Sequence, residues 1–410
     1  MKLVVVTPHF APDVAPTGEV ITKIVEQLAA RGHHIEVITS LPWYEHHAVE
    51  PEFRGKPIRS EAMSWGKVTR VNPFPTDKRD IPRRALAFGG FSALVGGVGL
   101  AGGNVDGVLA LSPPLTLGLT GWGIAVARRA PLVFNIHDVF PDVAIELGVL
   151  KGERVIAAAK WLERVSYARA DAVTVLAEDM RENVAAKVSP GQASKVRVIP
   201  NFVDTAWIRP QPRENSYRRE LGLEGKTVVM YAGNVGMSQS LELVLAAATA
   251  LAHDPEVAFV INGGGAARPG LEAAARGLAN VHFVDLQPRA RLPEVLAAAD
   301  IHVVPLKRGL GRSSVPSKTY SILAAGRAVL ASVDRGTEVE RIVERAGAGV
   351  SVPPDDAEAF TKALTRLVAA PDELARMGAA GRRFVEGWAS PEAVAEQYEE
   401  LFTELRDRRR

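Results

Sequence analysis

A basic loop rich in glycine and serine follows the apolar segment Ile301–Leu306. Pro316 comes near the end of this loop, where the pattern predicts a helix start, and Lys318 falls in the first turn of that helix. Helix N-termini attract anions through free N–H groups and a positive dipole end, and lysine and arginine add full charges. The sequence therefore predicts a diphosphate site, with a solvated basic loop as the alternative. The candidate residues are Arg312, Ser313, Ser314, Val315, Ser317 and Lys318.

Polar or glycine-rich loops also follow other predicted strands. They are Thr7–Gly18, Gly233–Gln239 and Gly263–Gly265, and His137 and Asp138 come directly after the apolar segment Leu132–Ile136. In doubly wound sheets, ligands bind outside the carboxyl ends of the strands. We therefore expect these loops to converge with the basic loop on ligand-binding edges.

Composition and charge exclude several functional classes. The chain has 410 residues, of which 47% are hydrophobic and 23% charged, as in soluble globular proteins of about two domains. The formal net charge of +2 argues against a nucleic-acid-binding surface that covers the molecule. The absence of cysteine excludes disulfides, thiolate nucleophiles and cysteine-ligated metals.

Strand and helix patterns alternate along the whole chain and restart after a Pro-Asn-Phe-Val-Asp segment at 200–204. Such alternation predicts parallel sheets covered by helices on both faces. The expected fold is α/β, with two Rossmann-like doubly wound domains and an interdomain cleft. The expected domains are residues 1–203, residues 204–388, and a C-terminal helix in 389–410.

One long apolar segment, residues 85–103, raises the question of membrane contact. Its length is that of a spanning helix, but seven glycines dilute it, so a buried or interfacial helix is expected. Basic residues precede it at Lys78, Arg79, Arg83 and Arg84, as on a surface that touches anionic lipid. The sequence therefore predicts peripheral membrane contact through 78–103, with a helix packed inside the first domain as the alternative. The N-terminus does not have the pattern of a signal peptide.

Seven motifs are spread over nearly the full length of the chain. They are TPHFAPDVAPTGEVITKIVEQLAARGHHIEVIT, VFNIHDVFPDVAIELGVL, VIPNFVD, YAGNVGMSQSLELVLAAA, INGGG, ADIHVVPL and VPSKTYSILAAGRAVL. Together they resemble the retaining GT-B glycosyltransferases of family 4, and the similarity is greatest to the branch that includes colanic-acid and N-acetylfucosamine transferases. Singly these motifs are weak, but their order and spacing support the resemblance.

The resemblance implies transfer of a sugar from a nucleotide-diphosphate donor, here expected to be a UDP-sugar, to an acceptor hydroxyl with retention. It implies an acceptor-binding first domain, a donor-binding second domain and a last helix that crosses back to the first. It implies no cofactor and no metal, since cationic groups neutralise the leaving diphosphate. The expected setting is cell-surface polysaccharide or glycolipid synthesis in the cytoplasm or at the inner face of the plasma membrane, with a sugar or lipid-linked acceptor.

The sequence departs from the family pattern at two pairs of positions. The arginine and lysine usual after the first strand of the second domain are replaced by Asn234 and Gln239. The two glutamates usual eight residues apart are replaced by Ser313 and Ser321. The diphosphate must then find charge elsewhere, and Lys318 is the first candidate, with Lys307, Arg308 and Arg312 also available.

The resemblance also assigns roles to single residues. His137 is expected to contact the donor sugar or acceptor, Asp138 to orient the acceptor hydroxyl, and Lys318 to stabilise the leaving diphosphate; Asp142 is a weaker candidate. The expected donor-binding residues are Gly18, Gly233, Asn234, Gln239, Gly263, Gly264, Leu286, Gln287, Arg312, Ser313, Ser314, Val315, Ser317 and Ser321. His33, His34, His46 and His47 are expected on the surface.

Two alternatives share the expected architecture. A nucleotide-sugar 2-epimerase would need cleft carboxylates, which the missing glutamate pair does not favour. An inactive sugar-nucleotide-binding scaffold would show no donor turnover. A dinucleotide-dependent oxidoreductase is disfavoured, because Thr7–Gly18 does not fit the G-x-G-x-x-G pattern after a first strand.

Overall fold

A computed structural model describes residues 1–75, 81–146, 150–310 and 318–409, with the backbone alone at 81–85 and 146. The chain forms two compact units. The first contains residues 1–201 and 391–410, and the second contains residues 202–390. The expected fold class, α/β with two doubly wound parallel-sheet domains, is confirmed.

The first unit has a sheet of eight strands in the order β3-β4-β2-β1-β5-β6-β7-β8. Its strands are β1 (Lys2–Val6), β2 (His34–Ser40), β3 (Ile58–Met63), β4 (Gly66–Val71), β5 (Gly107–Ser112), β6 (Leu132–Ile136), β7 (Ala172–Val175) and β8 (Val196–Val198). Its helices up to residue 201 are α1 (Pro16–Ala30), α2 (Ile81–Leu100), α3 (Thr116–Ala127), α4 (Asp142–Glu146), α5 (Glu153–Arg169) and α6 (Glu178–Ala185).

The second unit has a six-stranded parallel sheet in the order β11-β10-β9-β12-β13-β14. Its strands are β9 (Thr227–Ala232), β10 (Val257–Asn262), β11 (Val281–Val284), β12 (Ile301–Pro305), β13 (Ala328–Ser332) and β14 (Gly349–Val352). Its helices are α7 (Ser216–Leu221), α8 (Glu242–Ala250), α9 (Arg268–Ala274), α10 (Leu292–Ala297), α11 (Lys318–Ala324), α12 (Glu338–Ala346), α13 (Ala357–Val368) and α14 (Pro371–Trp388). The last helix, α15 (Pro391–Asp407), belongs to the first unit and packs against α1.

Strand β3 corrects the expectation of purely parallel sheets, because it pairs with β4 in antiparallel register. Its sequence, IRSEAM, lies at the sheet edge, and nearly all of its side chains are exposed. An exposed edge strand needs no apolar run, so it gave no hydrophobic signal. Gly66 ends the turn between the two strands with φ +150°, and a Cβ there would overlap the carbonyl of Ile35.

Helix placement in the first unit follows from the handedness of its connections. Crossover connections between parallel strands are right-handed. Helices whose connections step along the sheet toward β8 therefore lie on one face of the sheet. Helix α1, whose connection steps from β1 to β2 in the opposite direction, lies on the other face. The contacts agree with this placement, since α3 packs against both α2 and α5 while α15 packs against α1. Apolar residues such as Phe91, Val95, Leu117 and Ile124 fill the core beneath α2 and α3.

The environment of His33 corrects its expected surface position. The side chain is buried, Nδ1 lies 2.9 Å from the terminal amine of Met1, and Nε2 lies 3.2 Å from Oε1 of Glu399 on α15. Arg31 also donates to Glu399, at 2.5 Å. These contacts fasten α15 to the end of α1, which the sequence pattern around His33 did not indicate.

A buried ion pair lies at the amino ends of two central strands of the second unit. The fully buried Arg218 on α7 donates to Asp300 at 2.6 Å and to the carbonyls of Ala298 and Lys226 at 2.7 and 2.8 Å. Asp300 also accepts from the backbone N–H of Val228 at 2.8 Å. The pair ties the start of β9 to the start of β12.

Membrane-spanning helices were sought in the described parts of the chain. No helix there is both long and apolar enough to cross a bilayer.

Candidate functional site

Lys318 begins helix α11 and lies at the carboxyl end of β9. Its Nζ is 3.8 Å from the ring centroid of Tyr231, and a Cβ placed on Gly233 would lie 2.9 Å from it. Burial lowers the pKa of Lys318 to about 8. Among the described residues no carboxylate is within ion-pair distance of this amine. Because α11 has only seven residues, the desolvated amine, rather than a helix dipole, is the main positive group here.

The loops after β9 and β10 pair backbone to backbone. Gly233 N–H donates to Asn262 O at 2.9 Å, and Val235 N–H donates to Gly264 O at 2.8 Å. Gly263 has φ +148°, and a Cβ there would overlap the carbonyl of Gly233. A Cβ on Gly264, by contrast, would meet nothing within 4 Å. Gly263 is therefore required by loop pairing, while Gly264 leaves open space for a ligand.

The two amides that replace the usual cations take different places in the β9 loop. Gln239 Oε1 accepts from Gly236 N–H at 3.0 Å and braces the loop. Asn234 is exposed, and its side chain makes no hydrogen bond to a described residue. Its carbonyl accepts from the Tyr231 hydroxyl at 2.5 Å. The Asn234 amide can therefore bind a ligand, and Tyr231 fixes the backbone beside Lys318.

Two acidic residues hold the start of the basic loop after β12. Asp355 accepts from Arg308 N–H at 3.0 Å, and Asp334 accepts from Gly309 N–H at 2.7 Å. The Arg308 guanidinium donates to Pro354 O at 3.0 Å. Arg308 was expected to be available for the diphosphate, but its backbone N–H and its guanidinium already donate these hydrogen bonds within the protein. The remaining loop candidates, Arg312, Ser313, Ser314, Val315 and Ser317, lie outside the described residues.

The expected base-binding segment follows β11. Leu286 is 72% exposed and makes no backbone hydrogen bond within the described residues. Gln287 Oε1 accepts from Arg291 at 3.1 Å. Arg268, which the sequence did not single out, donates to Gly263 O at 2.8 Å and to Asp285 at 2.6 Å. The backbone of Leu286 is thus free, beside a braced Gln287.

Ser321 is the last expected donor residue on α11. It lies three residues after Lys318, is partly buried, and makes no side-chain hydrogen bond to a described residue. Its hydroxyl is therefore free to bind a ligand hydroxyl, although it offers one contact where a carboxylate offers two.

His137 and Asp138 follow β6 in the first unit. The backbone N–H of His137 donates to Ser112 O at 3.1 Å, and burial lowers the pKa of its imidazole to about 4. Asp138 as a whole is exposed, but its carboxyl group is partly desolvated by its surroundings, which raises the pKa of that group. Neither side chain has a hydrogen-bond partner among the described residues. Asp142 instead accepts from Lys187 at 2.6 Å and from Asn183 at 3.1 Å, so its carboxylate is already occupied.

A histidine–aspartate pair follows β1 and was missed from the sequence. His9 Nδ1 lies 2.6 Å from the buried Asp13 carboxylate, and its ring stacks on Trp43 at 5.8 Å. A Cβ on Gly18 would lie 3.0 Å from His9 Cβ. The absence of a side chain at Gly18 therefore makes room for His9. The expected role of Gly18 in donor binding remains a prediction. The spacing of His9 and Asp13 was visible, but Trp43 lies beyond the next strand.

Potential metal ligands were also considered in the described parts of the chain. The one close set of three is Glu45, His46 and Glu50, of which Glu45 and His46 are exposed. The 2.9 Å contact between His46 and Glu50 accounts for their proximity as a surface ion pair. Asp334 and Asp355, near the proposed diphosphate site, are engaged by backbone N–H groups, as described above.

Two families match the chain in succession. Residues 17–201 match the family described as "Glycosyl transferase 4-like domain", and residues 226–370 match "Glycosyl transferases group 1". Together the two matches cover most of the chain, with one in each compact unit.

Similarity to known proteins and to solved structures extends over nearly the whole chain. A protein of Escherichia coli (strain K12) with the name "Putative colanic acid biosynthesis glycosyl transferase WcaI" is 29% identical over 97% of this chain and 98% of its own. Sucrose-phosphate synthase from Thermosynechococcus elongatus superposes with a TM-score of 0.66 at 21% identity, covering 99% of both chains. Anabaena HepE in complex with UDP superposes with a TM-score of 0.64 at 16% sequence identity, covering 99% of this chain and 100% of its own. These structures share the GT-B fold with this chain.

Proposed function

The chain belongs to the glycosyltransferases, with a glycosyl transferase 4-like domain followed by a group 1 domain, and we propose that it transfers a sugar from a UDP-sugar to an acceptor hydroxyl with retention. The second unit binds the donor and the first unit binds the acceptor in this proposal. The named function of the E. coli relative supports a role in cell-surface polysaccharide or glycolipid synthesis. The UDP complex of HepE supports the choice of nucleotide.

The observation that carries the proposal is the state of Lys318. Its amine is desolvated, lacks a carboxylate partner among the described residues, and lies beside Gly233 at the carboxyl end of β9. Charge builds on the diphosphate as the glycosidic bond breaks, and a preorganised cation in a desolvated site stabilises that charge strongly. Lys318 can therefore replace part of the charge lost through Asn234 and Gln239.

The neighbouring groups suit the rest of the donor. Gly264 and the free backbone of Leu286 leave room and hydrogen-bonding groups for the base, while Ser321 can bind a ribose hydroxyl. The exposed Asn234 amide can donate to a phosphate oxygen or a sugar hydroxyl. Ser321 thus offers the ribose fewer hydrogen bonds than a glutamate at the same position would offer.

The first unit is proposed to align the acceptor. With a pKa of about 4, His137 is neutral at physiological pH, so it acts as a hydrogen-bonding group and not as a cation. Asp138 accepts a hydrogen bond from the acceptor hydroxyl and orients it toward the anomeric carbon. In a front-face reaction with retention, the departing phosphate oxygen takes the proton, so Asp138 positions the hydroxyl without being the final base.

The acceptor is proposed to be a lipid-linked saccharide, and the protein to act at the inner face of the plasma membrane. The apolar segment within 78–103 motivates this assignment; residues 76–80 lie outside the described parts of the chain.

Asp138→Asn should lower kcat by about 10²-fold, because an amide orients the hydroxyl less well and carries no charge. The substitution lies in the first unit, so the affinity of the second unit for UDP should be unchanged. Steady-state transfer rates and calorimetric UDP titrations on the same variant check this. Equal loss of UDP affinity would show that the defect is structural.

UDP affinity should fall as the pH rises above about 8. Bound diphosphate raises the pKa of Lys318 above its free value, so binding is fully supported below pH 8 and is lost as the pH rises through the bound-state pKa. In that window we expect the affinity to fall up to about tenfold per pH unit. Calorimetry between pH 7 and pH 9, below the ionisation of the uracil base, measures this slope, and Lys318→Met should lack it.

The function is tested by incubating the protein with UDP-sugars and an acceptor lipid extract, followed by NMR of the product anomeric proton. The proposal predicts a new glycoside with the configuration of the donor. Epimerised donor without a glycoside would identify a 2-epimerase, and unchanged donor with measurable UDP binding would identify an inactive scaffold.

A further inference from the structure

We propose that one face of the first unit, formed by helices α2, α3 and α5, docks on an anionic lipid bilayer. We call it the docking face and define it by the exposed residues Leu86, Leu100, Val126, Arg154, Val155, Lys160, Trp161 and Arg164. Its apolar members are the large exposed side chains Leu86 (77%), Val126 (61%), Trp161 (58%), Val155 (53%) and Leu100 (52%). Single exposed apolar residues are ordinary, but a group on adjacent helices marks an interaction surface.

Helix α2 contributes an uncharged outer stripe. Its exposed positions are Leu86, Gly89, Ala93, Gly97 and Leu100, at the spacing of one helical face. No charged residue occurs between Leu86 and Gly103. The outer face of a helix on a water-exposed surface normally carries charged or polar residues. This stripe therefore suits an apolar environment better than water.

Helix α5 contributes the charge and the aromatic anchor. Trp161 is flanked on the exposed side by Arg154, Lys160 and Arg164, and the exposed acid of this helix is Glu153. Among the described residues no carboxylate is within ion-pair distance of those three cations. Tryptophan beside unpaired lysine and arginine is typical of helices that lie in the membrane interface, where the ring sits at the headgroup level.

Helix α3 joins these two surfaces into one. It packs against α2 on one side and α5 on the other, and Val126 is exposed near its end. The guanidinium of Arg169 on α5 lies 4.8 Å from the ring centroid of Trp122 on α3. The apolar stripe of α2 and the cationic stripe of α5 are therefore parts of the same layer of helices on the sheet.

The charge distribution favours a bilayer over a second copy of the chain. In a twofold dimer this face would meet itself, and the unpaired cations of α5 would be brought toward one another. Anionic headgroups supply the complementary charge, and each lysine or arginine near such a surface adds attraction. A lipid surface also accepts the uncharged stripe of α2 and the ring of Trp161.

The orientation of the helices connects the docking face to the site. Helices α2 and α5 precede β5 and β7, so their N-terminal ends, with Leu86 and Val155, lie toward the carboxyl edge of the sheet that carries His137 and Asp138. Leu100 and Val126, near the C-terminal ends of α2 and α3, lie toward the opposite edge, so docking lays the whole helix layer on the headgroups, with the carboxyl edge at one margin of the contact. The further consequence, that a lipid-linked acceptor reaches Asp138 from the bilayer, rests on the proposed function; the docking itself does not.

The test is sedimentation of the full chain with phosphatidylcholine vesicles, with and without an equal part of phosphatidylglycerol, in the absence of donor. We expect binding to the anionic vesicles alone, reduced at least about tenfold by Lys160→Glu with Arg164→Glu. The matched control is Arg376→Glu with Arg383→Glu, which changes the same charge at exposed positions of α14 and should bind as the wild type does. Circular dichroism and thermal unfolding of every variant verify its fold, because UDP binding reports on the second unit alone.

Trp161 provides a second, local readout. Vesicles should shift the tryptophan emission of the wild type to the blue, and Trp161→Phe should remove most of that shift. Absence of wild-type binding, or equal losses in the α5 and α14 variants, would overturn the proposal. A dimer that Trp161→Glu dissociates, without vesicle binding, would assign the face to a second copy and overturn it as well. Each of these failures leaves donor turnover unaffected, so it is distinguishable from failure of the proposed function.

Discussion

Replacing Lys318 by methionine is expected to stabilise the second unit and to remove most of the transfer activity. Burial lowers the pKa of this lysine from 10.5 to about 8, so the folded state holds the charged amine at a cost. Methionine keeps the contact with the Tyr231 ring without the charge. We expect a gain of about 1–3 kcal/mol in the free energy of unfolding below pH 8. The gain should shrink between pH 8 and 10.5, because the folded wild type loses its proton first.

The loss of activity follows from the same desolvation. A charge in a site with little water stabilises a leaving diphosphate more than a solvated one does, so kcat should fall by about 10²–10³-fold. Thermal unfolding and steady-state transfer rates, measured on one preparation, check both effects.

Lys226→Met is the matched control, because Lys226 comes just before β9 at the opposite edge of the same sheet. It should leave kcat unchanged. A Lys318→Met variant with normal turnover, or with a lower Tm and normal UDP affinity, would contradict the assigned role.

Gly263→Ala and Gly264→Ala are expected to differ sharply, although the residues are adjacent. A Cβ on Gly263 would overlap the Gly233 carbonyl, and its φ of +148° is strained for alanine, so the substitution should cost about 3 kcal/mol or more. Forcing the two loops apart should also displace Gly233 from Lys318 and weaken UDP binding. A Cβ on Gly264 meets nothing within 4 Å, so its effect on stability should stay within about 0.5 kcal/mol.

Thermal unfolding together with UDP calorimetry on both variants separates folding from binding. If Gly264→Ala keeps the wild-type Tm but loses affinity, the nucleotide lies against Gly264, as proposed. Equal destabilisation by the two substitutions would show that the loop pairing described here is wrong.

Much of the fold could be predicted from the sequence. The two doubly wound domains were expected from the alternation of short apolar runs with helical patterns, because the strands of a parallel sheet are buried on both faces. Strand β3 was missed because an exposed edge strand needs no such run. The polar segment 209–217 leads into the short helix α7. Its buried Arg218 pairs with Asp300, which is 82 residues away in the sequence.

The site was predictable in its residue types but not in its contacts. The sequence indicated Lys318 and Gly263, yet it could not show that Tyr231 lies under the amine or that Gly233 requires the glycine at 263, since both depend on how strands pack. The carboxylates Asp334 and Asp355 follow later strands and reach the basic loop only through the fold. His9 and Asp13 were passed over because their partner Trp43 is distant in sequence.

The central claim is that the second unit binds a nucleoside diphosphate through Lys318. Calorimetric titration of the wild type and Lys318→Met with UDP, GDP, ADP and dTDP, below pH 8, tests it most directly. The account predicts one preferred nucleotide, UDP, bound at one site and weakened at least about tenfold, or roughly 1.4 kcal/mol, in the variant. Equal UDP affinity in both proteins, or binding of none of the four by the wild type, would contradict it.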